Sequence, residues 1–347
     1  MKLMKTTEAV GQVLCHDITQ IIPGVKKDAV FRKGHIITKE DIPVLLSVGK
    51  DTIYIWENDE TMMHENEAAE VLYSMCACGT ASKMHPSSVK EGKIEVIADC
   101  DGLLKVDSEK LKKVNSFGEM MIATRHGNTT VKNGDKLAGT RIIPLVIKKD
   151  KLEAASHICD DGPILDIKPF VVRKAAIIIT GNEVYHGRIQ DAFTPVIEKK
   201  IAEFGAQMMF HEIFDDDGKK ITDGCLRAIE AGAEIVFCTG GMSVDPDDKT
   251  PLAIKNTGAR IVSYGSPVLP GAMFLLSYYD AGDRLVPICG LPGCAMYNKR
   301  TIFDIVLPRL MACDMILADE LAGLGEGGLC LNCDVCTFPN CGFGKGF

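Results

Sequence analysis

The spacing of hydrophobic positions changes along the chain, and each change marks a different kind of element. Near the start, Ile42, Leu45, Leu46 and Val48 recur at helical spacing behind Thr38-Lys39-Glu40-Asp41 and stop at Gly49. A hydroxyl three residues before an acid, then an apolar face, then glycine predicts a short capped helix. Residues 52–56 (Thr-Ile-Tyr-Ile-Trp) predict a strand, and residues 60–75 a second helix ending near Cys76-Ala77-Cys78-Gly79. From Lys93 the apolar runs shorten. Residues 94–98, 120–124, 129–131 and 141–147 alternate with turn residues such as Asp101-Gly102 and Asn133-Gly134-Asp135, the pattern of a β-rich unit. Residues 148–168 are polar, carry Gly and Pro, and read as a linker.

Beyond them the rhythm becomes strand–helix–strand. Residues 175–179 form a continuous apolar run, which predicts a strand buried on both faces. Thr194-Pro195 then reads as an N-cap followed by a first-turn proline, opening a helix to about Phe204. Strands follow at 207–214, 233–239, 260–264 and 284–289, with helices at 219–231 and 252–256 and a long helix at 295–311. This alternation predicts an α/β fold, a three-layer α/β/α domain around a mostly parallel sheet, with ligands at the carboxyl ends of the strands. The expected organisation is a mixed α/β segment over 1–80, a β-rich subdomain and linker over 81–168, the α/β domain over 169–315, and a cysteine-rich tail over 316–347.

Composition narrows the function. The chain has 347 residues, 46% hydrophobic and 25% charged, enough for a sizeable core in two or three domains. A formal net charge of −8 with no long Lys/Arg run argues against nucleic acid as a partner. No apolar run is long enough to cross a bilayer, and no signal peptide opens the chain, so a cytoplasmic protein without a membrane partner is expected. In that compartment the 14 cysteines should be thiols or metal ligands. Cys238 and Cys289, inside apolar runs, read as small buried hydrophobes, and Cys76-x-Cys78 as chance cysteines at a helix end. Histidines 35, 64, 126, 157, 186 and 211 show no metal spacing.

Candidate chemistry gathers at three strand ends. The first carries Thr180-Gly181-Asn182-Glu183 with Gly187 and Asp191 beyond, and the second Asp215-Asp216-Asp217-Gly218. The third carries Thr239-Gly240-Gly241-Met242-Ser243, then Asp248-Lys249-Thr250-Pro251. Paired glycines let backbone N–H groups approach a phosphate, and carboxylates beside it can hold Mg²⁺. Singly, such loops are ordinarily turns and helix caps. Three at successive ends of one sheet make a site the better reading, because the sheet brings them together.

Those motifs, together with Gly290-Leu291-Pro292-Gly293, resemble in order and spacing the molybdopterin-binding domain of molybdopterin molybdotransferases, molybdopterin adenylyltransferases and their relatives. The resemblance covers about 140 residues, and Val10-Gly11-Gln12-Val13-Leu14 through Arg32-Lys33-Gly34 to Gly49 resembles the start of the molybdotransferase type. It implies Glu183, Asp216 (or its neighbour Asp215) and Asp248 as catalytic acids. It implies Thr180, Gly181, Asn182, Asp191, Thr239, Gly240, Gly241, Ser243, Thr250, Gly290, Pro292 and Gly293 as cofactor-binding positions. The implied ligands are molybdopterin or its adenylated form, molybdate and Mg²⁺, the implied partner a molybdoenzyme, and the implied assembly a homo-oligomer. Molybdate insertion with AMP release is the catalytic form of this reading. A non-catalytic carrier of the cofactor is a second, and a nucleotide pyrophosphatase, as in the competence-damage-inducible family, a third.

The departures favour binding over catalysis. The lysine usual beside the family's Pro-Gly is missing from Leu269-Pro270-Gly271-Ala272-Met273, and Gly293 is followed by Cys294-Ala295 instead of Asn-Pro. The N-terminal half reads as shorter than in molybdotransferases, and only the tail follows Met311 where they carry a β domain.

That tail bears Cys330-x-x-Cys333-x-x-Cys336-x-x-x-x-Cys341. Four thiolates this close suit a [4Fe–4S] cluster or a Zn(Cys)₄ site. The first three are spaced as in bacterial ferredoxins, while the last gap is one residue longer and no proline follows. Free thiols on a loose tail are the alternative, though such thiols are reactive liabilities.

Overall fold

The computed structural model describes residues 2–22, 26–55, 59–78, 83–243 and 248–346. Trp56 and Gly79, assigned above to a strand and a helix end, lie outside them, as do residues 244–247 of the third loop. The chain divides into two compact units. Met1–Asp99, Val106–Arg125 and Asn133–Asp166 make the first, and Cys100–Lys105, His126–Lys132 and Ile167–Phe347 the second.

In the first unit the early helix spans Asp41–Ser47. The expected roles of Thr38 and Asp41 are reversed there, since Asp41 Oδ2 accepts from the Thr38 backbone N–H at 2.8 Å and from its hydroxyl at 2.9 Å. Leu45 seals a small core with Leu14, Ile18, Ile37 and Ile53. The second helix is Glu65–Ala77, and residues before it form the strand Met62–His64. Strands Met84–Pro86, Lys93–Ala98, Lys136–Ile142 and Met120–Thr124 form an antiparallel sheet in that order. The run at 141–147 is thus split between Lys136–Ile142 and Val146–Lys148, on either side of Pro144, which lacks the N–H a ladder needs. Helices Ser108–Asn115 and Lys149–Ser156 were not foreseen. The second lies in the polar stretch read as linker, and of its own residues only Leu152 and Ala155 are buried.

The second unit holds the α/β domain. Its strands are β1 (Lys174–Thr180), β2 (Gln207–Phe214), β3 (Ile235–Thr239), β4 (Arg260–Tyr264), β5 (Leu275–Asp280) and β6 (Leu285–Leu291). Spatial order is β2-β1-β3-β6-β5-β4. β2, β1, β3 and β6 run parallel, and β5 is antiparallel to both its neighbours. The sheet is therefore mixed and mostly parallel, with β5 the strand that sequence reading missed. Alternation along β1 builds both faces. Ala175, Ile177 and Ile179 meet Ile197 and Ile201 of α1 (Phe193–Ala202) and Phe303 and Leu307 of α4 (Ile302–Met311). Ala176 and Ile178 meet Ile221 and Cys225 of α2 (Gly218–Glu230) and Ala253 and Ile254 of α3 (Thr250–Asn256). Helices on both faces make the three layers.

The single helix expected over 295–311 is interrupted. A 3-10 turn, Gly293–Met296, precedes α4, which starts afresh at Thr301. The Thr301 hydroxyl accepts from Phe303 N at 3.2 Å, and Asp304 Oδ2 accepts from Thr301 N at 2.8 Å. This reciprocal cap uses Thr-x-x-Asp, a signal present in the sequence but masked by the apolar residues on both sides. A further short helix, Ala318–Gly323, lies in the segment taken as tail.

Candidate functional site

The third loop leaves β3 through Gly240 and Gly241, both at positive φ (81° and 52°). A side chain on Gly240 would place its Cβ 2.0 Å from the Thr180 carbonyl oxygen, and one on Gly241 would come 2.9 Å from Thr250 Oγ1. Only glycine allows this approach. Beneath the turn, the Thr180 hydroxyl lies 3.0 Å from that of Thr250 and donates to the Thr239 carbonyl at 3.2 Å. All three threonines are buried, so Thr180, Thr239 and Thr250 form the floor of the loop. Thr239 Oγ1 is buried with no hydrogen-bond partner, a donor aimed at nothing the chain supplies.

Above that floor a cleft of about 580 Å³ is lined by Gly240, Gly241, Met242, Ser243, Asp248, residues 269–273, Pro292, Gly293, Cys294, Tyr297 and Asn298. Six of the expected positions thus meet: Gly240, Gly241, Ser243, Asp248, Pro292 and Gly293. Tyr264 stands nearby, donating from its hydroxyl to the Met242 carbonyl at 3.2 Å, and burial together with the Asp248 charge pushes its phenol up. Gly290 is covered by Met242, whose methyl would be 2.4 Å from an added Cβ, so it serves close packing. The walls that sequence reading did not assign are residues 269–273 and Cys294, Tyr297 and Asn298. Leu269-Pro270-Gly271-Ala272-Met273 lacks the lysine usual there, and among the described residues no Lys or Arg lines this cleft.

The other expected residues lie elsewhere. Glu183 is exposed, in the short helix Asn182–Tyr185, with its carboxylate beside Gly181. Asn182 N donates to Asp216 Oδ2 at 3.2 Å, tying the first loop to the second. Asp191 takes the capping role expected of Thr194, its Oδ1 accepting from Phe193 N at 2.8 Å and Thr194 N at 3.2 Å. Asp217 caps α2 through Lys219 N at 2.9 Å. The Lys220 ammonium, 2.8 Å from Asp215 Oδ2, holds that carboxyl below its usual range, while Asp215 Oδ1 is buried without a partner. Among the described residues, no group of three or more His, Cys, Asp or Glu is placed to hold a single metal ion, Glu183, Asp216 and Asp248 included. The glycine cradle leaves room for a phosphate-bearing ligand, whereas the described carboxylates form no group of three that could hold a single ion.

In the first unit a separate polar cavity of about 760 Å³ is lined by His16, Arg32, Lys33, Glu65, Lys90 and Glu91, among others. Burial pushes the Glu65 carboxyl up and the His16 imidazole down, and His16 Nδ1 is buried without a hydrogen-bond partner. No motif in the sequence pointed to it.

The six-stranded domain carries a molybdopterin-binding fold: residues 176–312 match the family described as "Probable molybdopterin binding domain". Residues 3–57, where the start of a molybdotransferase was expected, match a domain of unknown function (DUF8806), and neither match reaches the cysteine tail. Among curated relatives, a competence-damage inducible protein of Bacillus velezensis is 29% identical over 90 residues, 26% of this chain and 21% of that protein. A CinA-like protein of Mycobacterium avium is 31% identical over 80 residues, 23% of this chain and 18% of that protein. The chain spans about a fifth of the length of such relatives. Of solved structures, the tungsten cofactor synthesizing protein MoaB of Pyrococcus furiosus is similar at 18% identity and a TM-score of 0.31, covering 41% of this chain and 88% of that one. MoaB of Thermus thermophilus is similar at 20% identity and a TM-score of 0.32, covering 40% and 91%. Among the described residues, no helix is long and apolar enough to cross a membrane.

Proposed function

We propose that the α/β domain binds a molybdopterin-type ligand, a pterin carrying a phosphate, in the cleft between the Gly240–Gly241 turn and the wall at 269–273. The observation that carries this reading is the turn itself: two left-handed glycines hold the backbone where any side chain would collide. Phosphate oxygens would meet the N–H groups of the turn and the Ser243 hydroxyl, while Leu269, Pro270, Met273 and Tyr297 offer apolar surface to a flat ring. Asp248 is the acid at the rim.

Among the described residues the cleft lacks the cation expected of a molybdotransferase, and Glu183 and Asp216 are not part of its lining. Holding the cofactor, as a carrier does, is therefore favoured over inserting molybdate. A nucleotide pyrophosphatase is the second reading, favoured by the match to competence-damage inducible and CinA-like proteins. Titration of the anaerobic protein with molybdopterin and with its adenylated form, with and without Mg²⁺ and molybdate, separates them. Binding without AMP release is expected. Molybdate-dependent AMP release would make the chain a transferase, and hydrolysis of ADP-ribose without pterin binding a pyrophosphatase.

A further inference from the structure

The tail is folded onto the second unit. Leu269 N donates to the Gly328 carbonyl and Cys330 N to the Leu269 carbonyl, each at 2.8 Å, so the tail adds a short parallel bridge to the cleft's own wall. Phe343 is buried in the core beneath α4, and Gly344 N closes the segment on the Gly327 carbonyl at 3.0 Å. At Gly344 an added Cβ would lie 2.6 Å from the Ile305 side chain, so that contact is close-fitted.

This folding brings Cys330, Cys333, Cys336 and Cys341 to the lining of one cavity of about 230 Å³, together with Leu329, Leu331, Phe338 and Phe343. Lys299 and Arg300 stand on its wall. The Arg300 guanidinium lies 5.0 Å from the Phe338 ring centre.

We propose that this cavity is a [4Fe–4S] cluster site with Cys330, Cys333, Cys336 and Cys341 as its four ligands. A single zinc ion needs four sulfurs about 2.3 Å from one point. These thiols do not converge in that way, and no three of them form a single-ion site. All four line one cavity instead, and a [4Fe–4S] cluster takes one thiolate per iron. Two ferrous ions, two ferric ions, four sulfides and the four thiols give a cluster–thiolate complex of charge −2, with four protons released to solvent. Arg300 and Lys299, on the cavity wall, offset that charge. The site is independent of what the neighbouring cleft binds.

The test is anaerobic reconstitution of the full chain with ferrous and ferric iron, sulfide and a thiol reductant, followed by iron and acid-labile sulfide analysis. A parallel arm uses zinc alone. About four irons and four sulfides per chain are expected, with a paramagnetic signal on one-electron reduction by dithionite. Cys333→Ser and Cys336→Ser, both at exposed positions, should cut the load at least tenfold while circular dichroism stays unchanged. Cys78→Ser, exposed in the first unit, should load fully. Less than one iron per chain, one tightly held zinc without sulfide uptake, or full loading of the Cys333→Ser/Cys336→Ser double variant would each overturn the proposal.

Discussion

The Thr180 hydroxyl lies 3.0 Å from the Thr250 hydroxyl, joining the end of β1 to the start of α3 directly under the Gly240–Gly241 turn. Three segments far apart in sequence thereby share one buried polar contact. Within a low-dielectric interior such a contact fixes the loop's position, because leaving either hydroxyl unpaired costs more than the bond contributes.

Thr180→Val should accordingly lower stability by about 1–3 kcal/mol, measured by urea unfolding. In a double-mutant cycle with Thr250→Val the two losses should be non-additive by about 0.5–3 kcal/mol. Strict additivity would mean that the pair does not act as a unit.

Gly240→Ala should destabilise by about 1–3 kcal/mol from backbone strain alone, with the collision against Thr180 adding to it. Gly293→Ala, where an added Cβ meets nothing within 4 Å, should stay within about 0.5 kcal/mol of the parent. Equal behaviour of the two variants would remove the argument for a close-fitted turn.

Asp248→Asn should leave pterin affinity within about threefold, since backbone donors carry the phosphate contact. Any AMP release that the parent shows should be lost. Isothermal titration with a coupled AMP assay reads both, and unchanged turnover would exclude Asp248 as a catalytic acid.

Asp314 sets an acid limit in the second unit. Its buried carboxylate meets Arg309 Nε at 2.6 Å, Lys105 at 2.8 Å and Lys168 at 2.5 Å. Burial alone would push its pKa up, but these ion pairs outweigh it and hold the pKa at about 2. A depressed folded pKa means the contribution is complete above the unfolded value near 3.8 and is lost as pH falls through about 2. Asp314→Asn should cost about 3–5 kcal/mol near neutrality. The variant's thermal midpoint should also change less than the parent's between about pH 4 and pH 2. Identical acid profiles would show that Asp314 does not govern this limit.

Much of the α/β domain was legible from local pattern. Strand β2 and strand β4, at the sheet's edges, fall where their spacing put them, and β1 and β3, buried on both faces and so written as unbroken apolar runs, within two residues. The misses share a cause. β5 (Leu-Leu-Ser-Tyr-Tyr-Asp) is apolar enough for a strand, but it lies outside the strand–helix alternation the eye follows. The break before α4 is made by Thr301 and Asp304, a polar pair inside an apolar stretch. Of the site, the glycine turn was readable because positive φ selects residue type locally. The roles of the carboxylates were not: whether Asp191 and Asp217 cap helices or meet a ligand depends on which N–H groups the fold brings to them.

The sequence by itself determined the elements and the special positions: buried strands, glycines that only a tight turn accepts, and a run of four closely spaced cysteines. Tertiary structure decided which of these meet. Strand order β2-β1-β3-β6-β5-β4 sets β1 between the second and third loops, so Asp216 reaches Asn182 instead of the cleft, while β6 beside β3 brings Pro292 and Gly293 to Gly240. The bridge between Leu269 and Leu329 likewise turns a linear cysteine motif into a cavity. Periodicity records whether a side chain is buried; it carries no record of the distant partner against which it is buried, and pairing across the sheet is what places the site.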